Sequence, residues 1–195
     1  MEYKELISER FSEFSNVLIA TEKVSGESIE IASSVIAKAF VSGNKFLICG
    51  NGGSAADSQH FAAELISSFT SGLKRKSLPA IALTTNSSVI TAYGNDFEFD
   101  GIFERQINGL GKQDDVLCVI STSGKSRNCI RAAKTARKQG LKVIALTKAN
   151  SDLSLLADFT VEVDSENTQH IQECNIFIIH VIVEIIEKMI SGKNL

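Results

Sequence analysis

From residue 45 onward, short apolar runs alternate with longer segments of helical periodicity, and this alternation is the feature that most constrains the fold. Continuous apolar strands are typical of a parallel sheet that is buried on both faces and covered by helices in right-handed crossovers. The sequence therefore predicts a three-layer α/β sandwich around a five-stranded parallel sheet. The predicted strands are 45–49, 79–83, 115–120, 142–147 and 159–163, and the predicted helices that accompany them are 54–69, 86–93, 100–110, 126–139 and 167–191.

The residues before the first strand have a different pattern. Apolar side chains recur at helical spacing over 3–24 and again over 27–42, and Gly43 then ends the pattern. We expect two amphipathic helices that form an N-terminal arm. The chain of 195 residues is long enough for one compact domain. In that domain, residues 1–43 pack on the core or on another subunit, and residues 44–195 form the sandwich.

Composition excludes several classes of protein. The formal net charge is −3 and the isoelectric point is near 5.7, which argues against a nucleic-acid-binding surface. The one basic cluster, 74–76, is predicted to be a solvated turn. The longest apolar run, 176–183, is too short to span a membrane, and the N-terminus lacks the pattern of a signal peptide. We therefore expect a cytoplasmic protein without a nucleic-acid or membrane partner, whose four widely spaced cysteines are reduced and buried.

The first predicted strand runs into a glycine-rich turn, residues 49–54, which we term the glycine loop. Glycines let the backbone approach a ligand closely, and the helix that follows offers unpaired N–H groups, so the loop is a candidate cradle for a phosphate or carboxylate. Residues 50–55 also fit the dinucleotide-binding pattern G-x-G-x-x-A. However, Thr84, Thr85 and Asn86 follow the second strand where a ribose-binding acidic residue is needed, which disfavours NAD.

The third predicted strand runs into Ser-Thr-Ser-Gly-Lys-Ser, residues 121–126, which we term the serine loop. Its hydroxyls and the amides of the following helix suit a phosphate. A nucleotide-binding P-loop would need glycine at position 119, which is Val119, so an NTPase is disfavoured. Helix capping by Ser126 and a plain polar turn are the alternatives. Two such loops at neighbouring strand ends favour an anion site over these alternatives.

The helix after the glycine loop carries Asp57, His60 and Glu64, at spacings of three and four that place them on one face. Such a histidine and carboxylate can share a divalent metal, or one can orient the other for proton transfer. Two structural alternatives stay open. Ser54 and Asp57 resemble a capping box, and His60 and Glu64 could form an ordinary surface pair.

The last predicted helix is apolar almost all round, which predicts burial, partly by another subunit. Its polar exceptions need partners. They are Gln172, Glu173, Asn175 and His180. His180 could be a core histidine bonded to a carbonyl group. Eight residues of helix separate Gln172 from His180 by about 12 Å and about 80°, so spacing alone leaves open whether both reach one metal.

Four segments together resemble the phosphoheptose isomerases, a family within the sugar isomerase (SIS) domain superfamily. They are CGNGGSAADSQHFAAEL (49–65), GNDFEFDGIFERQ (94–106), STSGKS (121–126) and the IQE element with its histidine (171–180). The resemblance implies an αβα homotetramer with active sites at subunit interfaces, one zinc ion per subunit, and a SIS domain over 44–195. It also implies isomerisation of sedoheptulose 7-phosphate to D-glycero-D-manno-heptose 7-phosphate, the first step toward ADP-heptose and the heptose of lipopolysaccharide or other surface glycans.

Matching the family motifs residue by residue implies roles for this chain. The implied zinc ligands are His60, Glu64, Gln172 and His180. Glu64 and His180 would be the acid/base pair that moves protons. As a separate hypothesis from its place one turn before His60, Asp57 would orient the second ring nitrogen of that histidine or assist proton transfer. The implied substrate contacts are Asn51, Gly52, Gly53, Ser54, Glu64, Asn95, Asp96, Ser121, Thr122, Ser123, Ser126 and Gln172. The chain departs from the family at His170, where many members carry arginine, and at Gln169, where some relatives have a carboxylate.

Two other functions remain as alternatives to the isomerase. One is a catalytically silent SIS-domain protein that acts as a regulatory or protein-binding module, as relatives do in replication initiation. The other is a different phosphosugar isomerase or a domain that senses sugar phosphates. The presence of His60, Glu64, Gln172 and His180 together favours phosphoheptose isomerisation, because a binding module does not need all four.

Overall fold

The computed structural model describes residues 3–191. Its strands are β1 (Phe46–Gly50), β2 (Ala80–Ala82), β3 (Val116–Ser121), β4 (Lys142–Lys148) and β5 (Phe159–Val163). Its helices are α1 (Tyr3–Val41), α2 (Gly53–Ile66), α3 (Ser87–Asp96), α4 (Ile102–Leu110), α5 (Arg127–Lys138) and α6 (Thr168–Ile190), with a 3₁₀ turn at Phe99–Gly101. Every predicted strand boundary lies within one residue of the observed boundary.

The five strands form one parallel sheet in the order β2-β1-β3-β4-β5. The chain leaves β1 toward β2 on one side and leaves β3 toward β4 on the other, so the strand order reverses between β1 and β3. Gly50 at the end of β1 lies beside Ile120 near the end of β3. The glycine loop and the serine loop are therefore neighbours at the carboxyl edge of the sheet, where sheets of this kind bind ligands.

Helices cover both faces of the sheet. α1, α2 and α6 pack on one face, where Phe46 and Phe61 meet edge to face with ring centroids 5.0 Å apart. α4 and α5 pack on the other face, where Phe103 is buried. Every residue of β1 and β3 is buried, as strands covered on both faces must be. The predicted three-layer α/β sandwich is thus confirmed.

The prediction of two N-terminal helices was wrong, because α1 is one helix of 39 residues. Gly26 lies inside it, and a glycine in a helix interior costs only about 1 kcal/mol relative to alanine. The adjacent Ser25 is buried and exchanges two hydrogen bonds with the backbone of Glu162 in β5, at 2.7 and 2.9 Å. This tertiary contact holds the helix together at the predicted break. Contacts of residues 1–43 with another subunit stay a prediction.

All four cysteines, Cys49, Cys118, Cys129 and Cys174, are free and buried, as expected. Within residues 3–191, no helix combines the length and the hydrophobicity that a membrane span requires.

Candidate active site

The glycine loop and the serine loop are tied together by a pair of asparagines. The side-chain amides of Asn51, after β1, and Asn128, in the first turn of α5, each donate to the other's oxygen at 2.8 Å. Asn128 is buried and Asn51 is half-buried, so this reciprocal pair is partly shielded from water. The two loops therefore keep a fixed relative position, and Asn128 is a contributor that the sequence analysis missed.

The glycine loop leaves the start of α2 without a side-chain cap. Gly52 occupies the N-cap position with a φ of 57°, a conformation that glycine adopts at little cost, and no side chain in the described residues caps it. The capping box between Ser54 and Asp57 is therefore not formed. The first N–H groups of α2, at Gly53 and Ser54, remain suited to binding an anion.

The serine loop is ordered by its own hydroxyls. Ser121 Oγ accepts from the Gly124 N–H at 3.2 Å and donates to Ser126 Oγ at 3.4 Å. Ser126 stands at the N-cap of α5 but its side chain makes no capping hydrogen bond, so the capping alternative does not hold. Thr122 and Ser123 line a small cavity of about 140 Å³ beside the loop. Two hydroxyl-bearing residues of the loop thus line the same space as Lys125.

Two histidines meet between α2 and α6. His60 Nε2 lies 2.8 Å from His180 Nε2, and Glu64 Oε1 lies 3.5 Å from His60 Nε2. His180 is therefore not a core histidine bonded to a carbonyl group, and His60 and Glu64 are more than a surface pair on one helix. Two imidazoles and a carboxylate can exchange protons or bind a metal.

Gln172 and Asp57 lie along the same contact between α2 and α6. A Cβ atom built on Gly53 would stand 2.1 Å from Gln172 Nε2, so only glycine at position 53 leaves room for that amide. Burial raises the pKa of Asp57 from 3.8 to about 6, while the Gln172 amide and His60 oppose this shift. Asp57 Oδ2 is buried without a hydrogen-bond partner among the described residues. A buried carboxylate with one unsatisfied oxygen, beside His60, is typical of functional sites.

Among residues 3–191, no group of three or more His, Cys, Asp or Glu side chains is arranged closely enough to be a metal centre by itself. The side chains of His60, His180 and Glu64 are nevertheless of the chemical types that bind zinc. His60 and His180 turn their Nε2 atoms toward each other, with the Glu64 carboxylate beside them. Imidazole nitrogen and carboxylate oxygen are ordinary zinc ligands. Zinc binding stays a prediction.

Comparison with known proteins adds independent information. The SIS domain family model matches residues 10–148. The chain is 47% identical over 169 residues to the phosphoheptose isomerase of Clostridium acetobutylicum, an alignment that covers 86% of this chain and 85% of that protein. It is 44% identical over 191 residues to the phosphoheptose isomerase of Aquifex aeolicus, with coverage of 97% and 99%.

The chain belongs to the phosphoheptose isomerase family. The fold of this family member agrees with a solved structure of a phosphoheptose isomerase from Francisella tularensis. The two superpose with a TM-score of 0.92 at 36% sequence identity, covering 96% of this chain and 100% of that chain. The resemblance seen in the sequence motifs and the predicted fold are both confirmed.

Not all predicted site residues of this phosphoheptose isomerase family member come together within one chain. Asn95 and Asp96 bond to each other at 2.8 Å at the exposed end of α3, and among residues 3–191 neither bonds to another predicted site residue. His170, where the family pattern departs, is buried against Phe14 of α1, with its Nε2 3.8 Å from Glu13. Its imidazole therefore contacts the N-terminal helix rather than the histidine pair.

Besides Asn128, three residues near the site were missed in the sequence analysis. The ring of Phe69 packs on the His180 ring, with centroids 5.2 Å apart. Arg75 and Glu187 form a buried ion pair, in which Glu187 accepts the Phe69 N–H and Arg75 donates to the Glu64 carbonyl oxygen. The prediction that residues 74–76 form a solvated turn is thus wrong for Arg75. Glu187 carried a detectable signal, because it is an acidic residue on the apolar side of α6.

Proposed function

We propose that this protein interconverts sedoheptulose 7-phosphate and D-glycero-D-manno-heptose 7-phosphate. The observation that carries the proposal is the meeting of His60, Glu64 and His180 between α2 and α6, beside two loops suited to a phosphate. Membership of the phosphoheptose isomerase family supports the choice of substrate. Neither regulatory binding nor a different phosphosugar has an observation in its favour.

The reaction needs groups that move protons between adjacent carbons and oxygens. A base removes a proton from C1 of the ketose, and the electron pair forms the C1–C2 double bond of an enediol while the C2 oxygen gains a proton. The C1 hydroxyl then loses its proton as C1 becomes the aldehyde, and C2 is protonated to complete the aldose. We assign these transfers to Glu64 and His180, which approach the same space from different helices.

The phosphate of the substrate would bind at the carboxyl edge of the sheet. Its oxygens can accept from the hydroxyls of Ser121, Thr122, Ser123 and Ser126 and from the helix N-termini that follow both loops. Asn51, Gly52, Gly53 and Ser54 would hold the adjoining part of the sugar. Binding of the phosphate at one end of the substrate would hold the reacting carbons, at the other end, close to Glu64 and His180. Such fixed orientation accelerates the reaction.

One zinc ion per subunit is part of the proposal. His60, Glu64, Gln172 and His180 would hold it, and the chemistry that such an ion supplies when bound is polarisation of the sugar carbonyl oxygen. Asp57 would keep the Gln172 amide and His60 in place, because it lies beside both.

Assembly into a homotetramer is the further part of the proposal, with sites that two subunits complete. The described structure supports it in two places. α3 has no buried residue, and Phe97 and Phe99 that follow it are more than half exposed. An apolar groove of about 730 Å³ also lies between α1 and α6, with Phe177 at its edge. Subunit contact at α3 would bring Asn95 and Asp96 to a site. We place the enzyme in the cytoplasm, at the first step toward ADP-heptose.

The proposal is tested by incubating the purified protein with sedoheptulose 7-phosphate, with and without a chelator and added zinc, and following products by NMR. We expect signals of an aldoheptose 7-phosphate that the chelator suppresses and zinc restores. Fructose 6-phosphate serves as the control substrate, and faster conversion of it would favour a different phosphosugar isomerase. Folded protein that converts neither sugar under any metal condition would contradict the proposal and favour a binding module.

A further inference from the structure

A buried ion pair joins three parts of the chain next to the site. Arg75, in the segment after α2, lies with its Nε 2.8 Å from Oε1 of Glu187 in α6, and their side chains are 8% and 1% exposed. Removing two charges from water offsets most of the attraction between them, so a buried pair of this kind adds little stability compared with apolar residues in the same place. Its contacts suggest a different role.

The arginine end of the pair holds the end of α2. Arg75 Nη2 donates to the carbonyl oxygen of Glu64 at 2.7 Å, and Nη1 donates to that of Leu65 at 2.7 Å. α2 ends at Ile66, so both carbonyl groups belong to the last helical turn, where intrahelical donors run out. One planar guanidinium thus fixes the turn that carries Glu64.

The glutamate end of the pair holds the aromatic cover of His180. Glu187 accepts the N–H groups of Phe69 and Thr70 at 3.0 and 2.9 Å. The Phe69 ring then packs against His180, which stands two helical turns before Glu187 on α6. The backbone position of Phe69, and with it the packing on the imidazole, depends on the Glu187 carboxylate.

We propose that Arg75 and Glu187 are positioning residues that set Glu64 and His180 relative to each other for proton transfer. The inference rests on the proposed function. Each end of the ion pair reaches one of the two proton-transfer groups through a backbone or ring contact, and the salt bridge links the two ends. Neither Arg75 nor Glu187 touches the substrate in this proposal.

The chain offers a closely matched control at the amino-terminal ends of the strands, away from the site. Asp115 is also buried, accepts two backbone N–H groups, from Lys45 and Lys112 at 2.9 and 2.8 Å, and pairs with the Lys45 ammonium. It precedes β3, at the end of the strand opposite the serine loop. Asp115→Asn therefore removes a similar buried charge without disturbing the site.

The test compares Arg75→Lys, Glu187→Gln and Asp115→Asn in steady-state kinetics with sedoheptulose 7-phosphate, well below the Tm of each variant. We expect the first two to lower kcat about 10- to 100-fold, with KM within about threefold of wild type. Asp115→Asn should lower Tm and leave kcat unchanged. Equal kcat values in all three variants at comparable loss of Tm would overturn the proposal and leave the pair a structural element.

Phe69→Leu tests the same contact with His180 if Glu187→Gln does not fold. It keeps the ion pair but removes the ring from His180, and it should reproduce the lower kcat; wild-type kcat in Phe69→Leu would refute the His180 half of the proposal. Zinc affinity, measured with a competing fluorescent chelator, is a second readout. We expect about 10- to 100-fold weaker binding in Arg75→Lys but not in Asp115→Asn. If wild type lacks turnover, the proposed function fails, and the zinc affinities alone decide the positioning role.

Discussion

Gly53 offers a way to separate activity from stability. In Gly53→Ala the new Cβ would stand 2.1 Å from Gln172 Nε2 and 2.5 Å from its Cδ and Oε1. Non-bonded heavy atoms prefer a separation of about 3.5 Å or more, so the amide must retreat by more than about 1 Å. The colliding atoms are the far end of a flexible side chain, which can turn away without moving the backbone. Gln172 would leave its place beside Asp57 while the fold persists.

The expected magnitudes differ sharply between the two properties. Displacement of a site group by about 1 Å can cost about 100-fold in rate, so kcat/KM should fall by that order. The free energy of unfolding should change by less than about 1 kcal/mol, because the rotamer change is inexpensive and alanine is the better helix former. NMR assays with sedoheptulose 7-phosphate and urea titrations measure the two quantities. Gly109→Ala in α4, whose Cβ would meet nothing within 4 Å, is the control and should leave activity unchanged.

A double-mutant cycle shows whether the effect runs through Gln172. In a Gln172→Ala background the collision is gone, so adding Gly53→Ala should change the remaining kcat/KM, or the zinc affinity, by less than about twofold. The reasoning is refuted if Gly53→Ala alone retains wild-type kcat/KM. It is equally refuted if the substitution is as harmful without the Gln172 side chain as with it.

Three further predictions use other parts of the structure. Glu64→Gln should lower kcat by about 10²- to 10⁴-fold with an unchanged Tm, checked by kinetics and thermal melts. Gly124→Ala, at a φ of 63° and with a Cβ 2.2 Å from the Cβ of buried Ser151, should raise KM and cost about 1–3 kcal/mol in urea titrations, because that obstacle cannot turn away. Burial alone would raise the pKa of Glu187, but the Thr70, Phe69 and Arg75 hydrogen bonds lower it from 4.5 to about 2. The carboxylate therefore contributes up to about 3 kcal/mol above pH 5 that is lost as pH falls toward 2, so the stability difference from Glu187→Gln should shrink over that range.

The sheet could be predicted almost completely because its signal is local. Five uninterrupted apolar runs followed by polar turns allow few structures other than buried parallel strands. The error in α1 has the opposite origin. Gly26 is a local signal for a break, but the bonds from Ser25 to Glu162 come from a strand 137 residues away in sequence. The low helix propensity of glycine is a weak predictor of a break where such a tertiary contact is available.

The candidate site could be predicted in parts but not as a whole. The spacing of Asp57, His60 and Glu64 places them on one helix face, and the structure agrees. The approach of His60 to His180 joins residues that are 120 positions apart. Helical spacing relates residues within one helix, so it could not predict this contact between α2 and α6. The family resemblance supplied that link. Asn51 was predicted as a substrate contact, whereas its bond to Asn128 follows only from the neighbouring placement of β1 and β3.

Glu187 shows how more could have been inferred from the sequence. It stands four residues after Val183 and three before Ile190, on a stripe of α6 that is buried. A carboxylate on such a stripe needs a cation and further donors, because an unpaired buried charge is too costly to keep. Lysine offers one ammonium group, whereas arginine offers a planar fork that can serve a carboxylate and helix carbonyls together. Within the triplet 74–76, whose other two residues are lysines, Arg75 is therefore the residue suited to burial. Its hydrogen bonds to the carbonyl groups at the end of α2 connect the Arg75–Glu187 ion pair to Glu64.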